Sequence, residues 1–270
     1  MEKQEQLSEN APIYITANTL MSDDVSLEAA LHIAKEAGAD GFELRRELLP
    51  AMMPDDRVSD LRTQLEMFPS PPIYSTPQPL FNKGHFDPEP VLQTLNEAYA
   101  FGCRMVKFSP GEIVPGIPLA GALTAFQKLL SVWQANTPDI VVMVENDQSA
   151  ASGELATWVR LFEQANEVGC PIGLTFDLGN WLCVGSDPLQ AAQLLGNYVS
   201  YIHAKSVECK DGICISLPIQ TASTPYPGLA YLPVAAPRAI EFPVKAANRA
   251  ALITTVQSYL SWLRSGNFAL

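Results

Sequence analysis

The stretch Val141–Asn146, "VVMVEN", sets four consecutive apolar residues against an abrupt polar end at Glu145 and Asn146. Asp147 follows, and no Lys or Arg stands close behind. A short continuous apolar run of this kind reads as a strand buried on both faces, the type found in parallel sheets. The pattern recurs along the chain in "IYITAN" (13–18), "GFELRR" (41–46), "PIYSTP" (72–77), "MVKFSP" (105–110), "IGLTFD" (172–177), "VSYIHAK" (199–205) and "AIEFPV" (239–244). Amphipathic segments at 26–38, 89–102, 121–136, 153–169, 187–196 and 246–266 separate most of these runs. The first two stop at Gly38 and Gly102, where a left-handed residue closes a helix.

Strands alternating with helices imply parallel pairing through helical crossovers. Eight such units at roughly 30-residue spacing predict an α/β chain folded as a (β/α)8 TIM barrel, a single domain over 13–270. A doubly wound open sheet is the competing architecture. It is disfavoured by the lack of G-x-G-x-x-G after the first run and of G-x-x-x-x-G-K-[ST] anywhere. Residues 1–12 read as a flexible, acidic N-terminal arm without the basic and apolar regions of a signal peptide. Residues 206–238 read as a long Pro-rich loop between the seventh and eighth strands, carrying a hairpin, "VECKDGICI", turned at Asp211–Gly212. Residues 50–71, with four Pro, read as a second long loop, and long loops serve as lids.

A net charge of -12 argues against a broad basic surface for nucleic acid, which needs clustered Lys and Arg. No apolar run reaches the about 20 residues that span a bilayer, so no membrane partner is expected. Five Cys form an odd set without a dense framework, which suits a reducing, cytoplasmic location. Cys209 and Cys214 share a C-x4-C spacing, but the second pair that a zinc site needs is missing, and small structural fillers are expected there. Homo-oligomerisation is left open.

Chemistry in such a barrel collects at the C-terminal mouth of the strands. The strand ends carry Glu43, Lys107 with Ser109, Glu145 with Asp147, Asp177, His203 with Lys205, and Glu241. One acid at a strand end is best explained as a helix cap. Glu145, Asp177, His203 and Glu241, however, come from four consecutive strands, and like charges held together disfavour ionisation. A divalent cation removes that cost. Three carboxylates and an imidazole form a mostly oxygen donor set suited to Mn, Mg or Co, with Zn admissible. His203 and Lys205 are two apart, so both face the same way. By the same alternation Asn146 should face away from the mouth and Asp147 should share Glu145's side. His32 reads as a helix residue and His85 as a loop residue.

These positions carry a resemblance to the xylose isomerase-like TIM barrel family of sugar isomerases and epimerases, over most of the chain from "IYITAN" through the last helix. Glu145 in "VVMVEN", Asp177 in "TFDLGN", His203 in "YIHAKS" and Glu241 in "AIEFPV" match the family's metal ligands in order and strand position. Glu43 matches an acidic residue frequent after the second strand, and Lys205 the Lys of a common H-x-K pattern, although Ser206 stands where an Asp usually follows. Asn180 replaces a His that helps hold substrate in many members.

The resemblance implies a ketose or keto sugar acid whose carbonyl and adjacent hydroxyl are polarised by the metal, giving an enediolate. Glu145 and Glu241 would be the catalytic pair, on opposite faces of the substrate, one removing a proton and the other returning it. Lys107 and Lys205 would supply positive charge to the substrate, with Glu43, Asn180 and Trp181 as further binding residues. Phe108 is a second aromatic for stacking on a sugar face. Gly-poor loops after strands seven and eight make a phosphate group on the substrate less suitable. A keto-polyol dehydratase of the same fold and a non-catalytic sugar-binding protein are the alternatives. Apurinic endonucleases of this fold need more His ligands than three.

Overall fold

Closure of the sheet is decided by where the last strand lies. In this computed structural model, which describes residues 11–114, 116–137, 139–148, 154–211, 213–218 and 231–265, the first seven barrel strands are β1 (Ile13–Thr16), β2 (Gly41–Arg45), β3 (Ile73–Asn82), β4 (Met105–Glu112), β5 (Val141–Glu145), β6 (Ile172–Asp177) and β7 (Val199–Ala204). A hairpin of β8 (Ser206–Lys210) and β9 (Ile213–Leu217) stands outside the barrel. The short β10 (Arg238–Ile240) pairs in parallel with both β7 and β1, which closes eight parallel strands into a barrel. The predicted TIM barrel is therefore the observed architecture, and the eight expected runs are its strands.

The helices are α1 (Ala17–Leu20), α2 (Leu27–Glu36), α3 (Asp55–Leu65), α4 (Pro88–Ala100), α5 (Ala120–Gln134), α6 (Leu155–Glu167), α7 (Leu178–Cys183), α8 (Pro188–Leu195) and α9 (Arg249–Arg264). Their starts follow local chemistry. Ser26, Asp87, Asp177, Asp187 and Asn248 each accept a backbone N–H with the side chain at an N-cap, a contribution of about 1 kcal/mol apiece. Gly38 and Gly102 take φ of +84° and +79°, the left-handed stops that the sequence pattern required. On α2, Ala30, Leu31 and Ala34 are buried and Leu27 is half-buried. The core has two parts, a large cluster that packs the strands against the helices and a small separate one of strand residues Tyr14, Ile73, Met143, Tyr201 and Ala239.

Three expectations need amendment. Residues 50–71 are not a bare loop, because α3 occupies their middle. Its Leu61 and Leu65 are buried, and with Val58 they keep a helical spacing that the flanking prolines obscured. Glu241 lies one residue beyond β10, because that strand ends at Ile240. Cys209 and Cys214 are joined by a disulfide. The expected hairpin explains the pairing: β8 and β9 bring the two residues directly opposite, with Cα atoms 4.0 Å apart, the close spacing of a non-hydrogen-bonded antiparallel pair. Of the expected N-terminal arm, residues 1–10 lie outside the described residues, as do Gly212 of the turn and 219–230 of the long loop. Among the described residues no helix is long and apolar enough to cross a membrane.

Candidate active site

Strand ends deliver the polar residues to one point. Glu145 is the last residue of β5 and Asp177 the last of β6. His203 sits beside Asp177 in the ladder between β6 and β7, and beside Ala239 of β10, two residues before Glu241. One donor atom from each of Glu145, Asp177, His203 and Glu241 falls within 4.8 Å of all the others. The four residues proposed as ligands from the sequence are thus brought together.

The imidazole organises the group. His203 Nδ1 lies 2.7 Å from Glu145 Oε1, 3.2 Å from Glu241 Oε2 and 3.6 Å from Asp177 Oδ2. Its Nε2 lies 2.8 Å from Glu43 Oε2, on β2 across the barrel. Glu43 is therefore fully buried below the cluster, on the far side of the imidazole from the carboxylates. A carboxylate in that position fixes the ring and its tautomer and directs the other nitrogen at the ligand group. Burial alone would push Glu43 up, but the Lys107 ammonium, His203 and Arg45 outweigh it and hold its carboxyl at about 2.

Three more cations balance the acids. Lys107, 2% exposed, spans Glu145 Oε2 at 2.7 Å and Glu43 Oε1 at 3.4 Å. Lys205 sits 2.7 Å from Asp177 Oδ2 and 2.8 Å from Glu241 Oε2. Arg45 places Nη1 2.5 Å from Glu241 Oε1 and Nε 2.9 Å from Glu47 Oε1. Against the penalty of burial, Lys107 and His203 hold Glu145 well below the usual carboxylate range, and His203 and Lys205 do the same for Glu241. Asp177 goes the other way, because its enclosure outweighs Lys205. His203 is pushed well above its ordinary value: burial opposes its charge, but Glu241, Glu43 and Glu145 surround it.

A cavity of about 590 Å³ opens over the cluster, lined by Asn18, Arg45, Glu145, Asp147, Gln148, Asn180, Lys205, Ile215, Ser216, Glu241 and Pro243. Asn180 is fixed rather than free: its amide donates to Asn146 O (2.7 Å) and its Oδ1 accepts from Gln148 (2.9 Å). Asn146 turns away from the cavity as expected and stitches β5 to β6. Its Nδ2 donates to Asp177 O and its Oδ1 accepts from Asp177 N. Lys107 and Glu43 are absent from the cavity wall, and Trp181 is fully buried against Trp158 and Phe176. Phe108 is likewise buried in the core. The sequence reading missed Arg45, Asn18 and Gln148. Arg45 was accessible to it, because strand alternation from Glu43 puts residue 45 on the same face.

The residues fit a divalent cation. Their donor set is three carboxylates and one imidazole, and the outer imidazole nitrogen is already held by Glu43. Asp177 Oδ2 is buried and receives no aligned hydrogen bond, although Lys205 is close. If Glu43 orients the ring, Glu43→Gln should weaken Mn binding about 10- to 100-fold, read by calorimetric titration of metal-stripped protein; unchanged affinity would remove that role.

The wall behind Lys205 is set by Gly179 on α7. A Cβ there would lie 2.8 Å from Lys205 Cγ and 2.8 Å from Val207 Cγ1. Gly179→Ala should therefore push Lys205 from its two carboxylates. Overpacking of about 1–3 kcal/mol exceeds the about 1 kcal/mol gained in helix propensity. The thermal midpoint should fall; a rise would show that the contact relaxes freely.

No protein-family model and no curated protein matches the chain. Solved structures do. It is similar to a xylose isomerase domain containing protein from Salmonella typhimurium LT2, with a TM-score of 0.69 at 16% identity over 94% of this chain and 97% of that one. It is similar to an L-ribulose 3-epimerase, with a TM-score of 0.69 at 14% identity over 95% of each chain. A probable 3-DHS dehydratase involved in petrobactin synthesis from Bacillus anthracis has a TM-score of 0.64 at 13% identity over 93% and 98%. At such identities the likeness is one of fold, and it runs nearly end to end in each pair: the chain has the fold of the xylose isomerase-like TIM barrels.

Proposed function

We propose that the protein is a divalent-metal-dependent sugar isomerase or epimerase acting on a ketose or keto sugar acid by proton transfer. The observation that carries this reading is the convergence of Glu145, Asp177, His203 and Glu241 beneath one open cavity. These four residues would hold the metal, with Mn, Mg or Co the best match to the donors and Zn admissible. When bound, it supplies Lewis acidity, which makes the C–H beside a carbonyl more acidic.

The protein's own groups supply the rest. Glu145 and Glu241 each present one oxygen to His203 and rest the other on a cation, Lys107 for Glu145 and Arg45 for Glu241. Both carboxylates are thereby kept ionised, the state in which either can take a proton from carbon. The pair stands at the cavity wall, so one can remove the proton and the other return it. Delivery to the opposite face inverts the centre; delivery to the neighbouring carbon isomerises. Arg45 and Lys205 present positive charge at the same wall, for a substrate carboxylate or for negative charge developing on oxygen. Asn180, pinned by Asn146 and Gln148, offers a rigid polar edge to a hydroxyl.

Solvent deuterium exchange into a panel of ketoses and keto sugar acids, with Mn present, is the test. Exchange without loss of water supports the reading. Loss of water would make the protein a dehydratase. Sugar binding with neither exchange nor product would make it a binding protein, and either result overturns the isomerase.

A further inference from the structure

A cluster of three sulfurs lies beside the cavity and takes no part in the chemistry above. The sulfurs of Cys183, Cys209 and Cys214 all fall within 4.8 Å of one another. Cys183 ends α7, the helix that begins directly after Asp177 and is packed against the hairpin at Gly179. Cys209 and Cys214 are opposite one another on β8 and β9, and Val207 and Ser216 form the second pair along, after Glu208 and Ile215. These four residues share one face of the hairpin. Val207 abuts the α7 backbone at Gly179, so this face is turned toward the helix. The Cys183 thiol thus stands beside an existing disulfide, at the outer end of the helix whose inner end holds a residue of the acid cluster.

We infer that Cys183, Cys209 and Cys214 form a thiol–disulfide exchange centre, in which Cys183 attacks Cys214 and releases Cys209. The Cys183 thiol gives its proton to water, and the thiolate forms a bond to Cys214 Sγ. The Cys209–Cys214 bond breaks, and its electron pair leaves on Cys209 Sγ, which takes up a proton from water. One disulfide and one thiol become one disulfide and one thiol, so no oxidant or reductant is consumed. Exposure selects the direction. Cys209 is the exposed member of the three, whereas Cys183 and Cys214 are half-buried. Water therefore solvates the leaving sulfur best when it is Cys209.

The exchange moves a crosslink from within the hairpin to between the hairpin and α7. In the first form β9 is tied only to β8, its own neighbour. In the second, β9 is fastened to the end of α7 one residue from Ile215 and two from Ser216, both at the cavity wall. The hairpin is then fixed over the mouth.

Disulfide mapping of the full chain decides the matter, and its readout is the crosslink rather than turnover, so it stands apart from the proposed isomerase. The folded protein is equilibrated with a trace of reduced glutathione, quenched in acid, labelled with N-ethylmaleimide and digested without reduction. A Cys183–Cys214 linked peptide, with the label moving from Cys183 to Cys209, is the expected result. Label confined to Cys183, with Cys209–Cys214 the sole linkage, would overturn it. Cys209→Ser supplies the second arm: with oxidised glutathione it should form the Cys183–Cys214 bond, and a folded variant that keeps both thiols free would overturn the inference equally.

Discussion

Glu241→Gln should abolish deuterium exchange into substrate while leaving the barrel folded. The amide keeps the size of the side chain but loses the charge that accepts a proton. Removing a positioned acid–base group costs on the order of 10²–10⁴-fold in rate, and a weakened metal site adds to that. The fold should survive because neither neighbouring cation is stranded. Arg45 keeps Glu47 and Glu43, and Lys205 keeps Asp177. Circular dichroism verifies the fold and exchange kinetics verify the loss. Exchange within a few-fold of wild type would take Glu241 out of the mechanism.

Lys107→Met should be the most destabilising single change at the site. The lysine is enclosed between Glu145 and Glu43 with essentially no contact with water. Methionine fills a similar volume but leaves the fully buried Glu43 and the half-buried Glu145 without their shared cation. Breaking a buried ion pair from one side costs about 3–5 kcal/mol, a large share of the stability of an ordinary domain. The loss should be measured by urea unfolding in a chelator and repeated with excess Mn. A cation held by Glu145 and its neighbours restores part of the missing positive charge and stabilises the native state by mass action, so the gap to wild type should narrow. Equal stability of variant and wild type in the chelator would mean that Lys107 does not balance these acids.

The residues that the sequence singled out are those whose signal is local. "VVMVEN", "TFDLGN", "YIHAKS" and "AIEFPV" each show an apolar run broken by one polar residue, and in a parallel barrel the break marks the mouth. Three helices escaped, α1, α3 and α7, the last two for equally local reasons. In α3, apolar residues are sparse and prolines stand at both flanks, so the spacing of Val58, Leu61 and Leu65 was submerged. The short α7 follows Asp177 without a separating turn, and its role in pressing Gly179 against Lys205 and Val207 has no sequence signature. Trp181 reads as a stacking residue from its place after a strand end, but α7 rotates it into the core against Trp158 and Phe176.

By itself the sequence determined that eight parallel strands alternate with helices, and that a Glu, an Asp, a His and a Glu stand at or just beyond the ends of four consecutive barrel strands. Alternation and the apolar-to-polar break fix those facts, because each depends on residues adjacent in the chain. Only the tertiary structure decided the depth at which each side chain works. Glu43 and Arg45 face inward from the same strand, yet two residues of β2 separate them by about 6.6 Å. One therefore lies beneath the imidazole and the other at the cavity wall. Lys107 and Lys205 divide in the same way, the first sealed between two acids and the second open to the cavity. The pairing of β6 with β7 also brought Cys183 to the hairpin. Strand tilt and register across the closed sheet set these heights, and they arise from pairings between segments far apart in sequence, which no local pattern encodes.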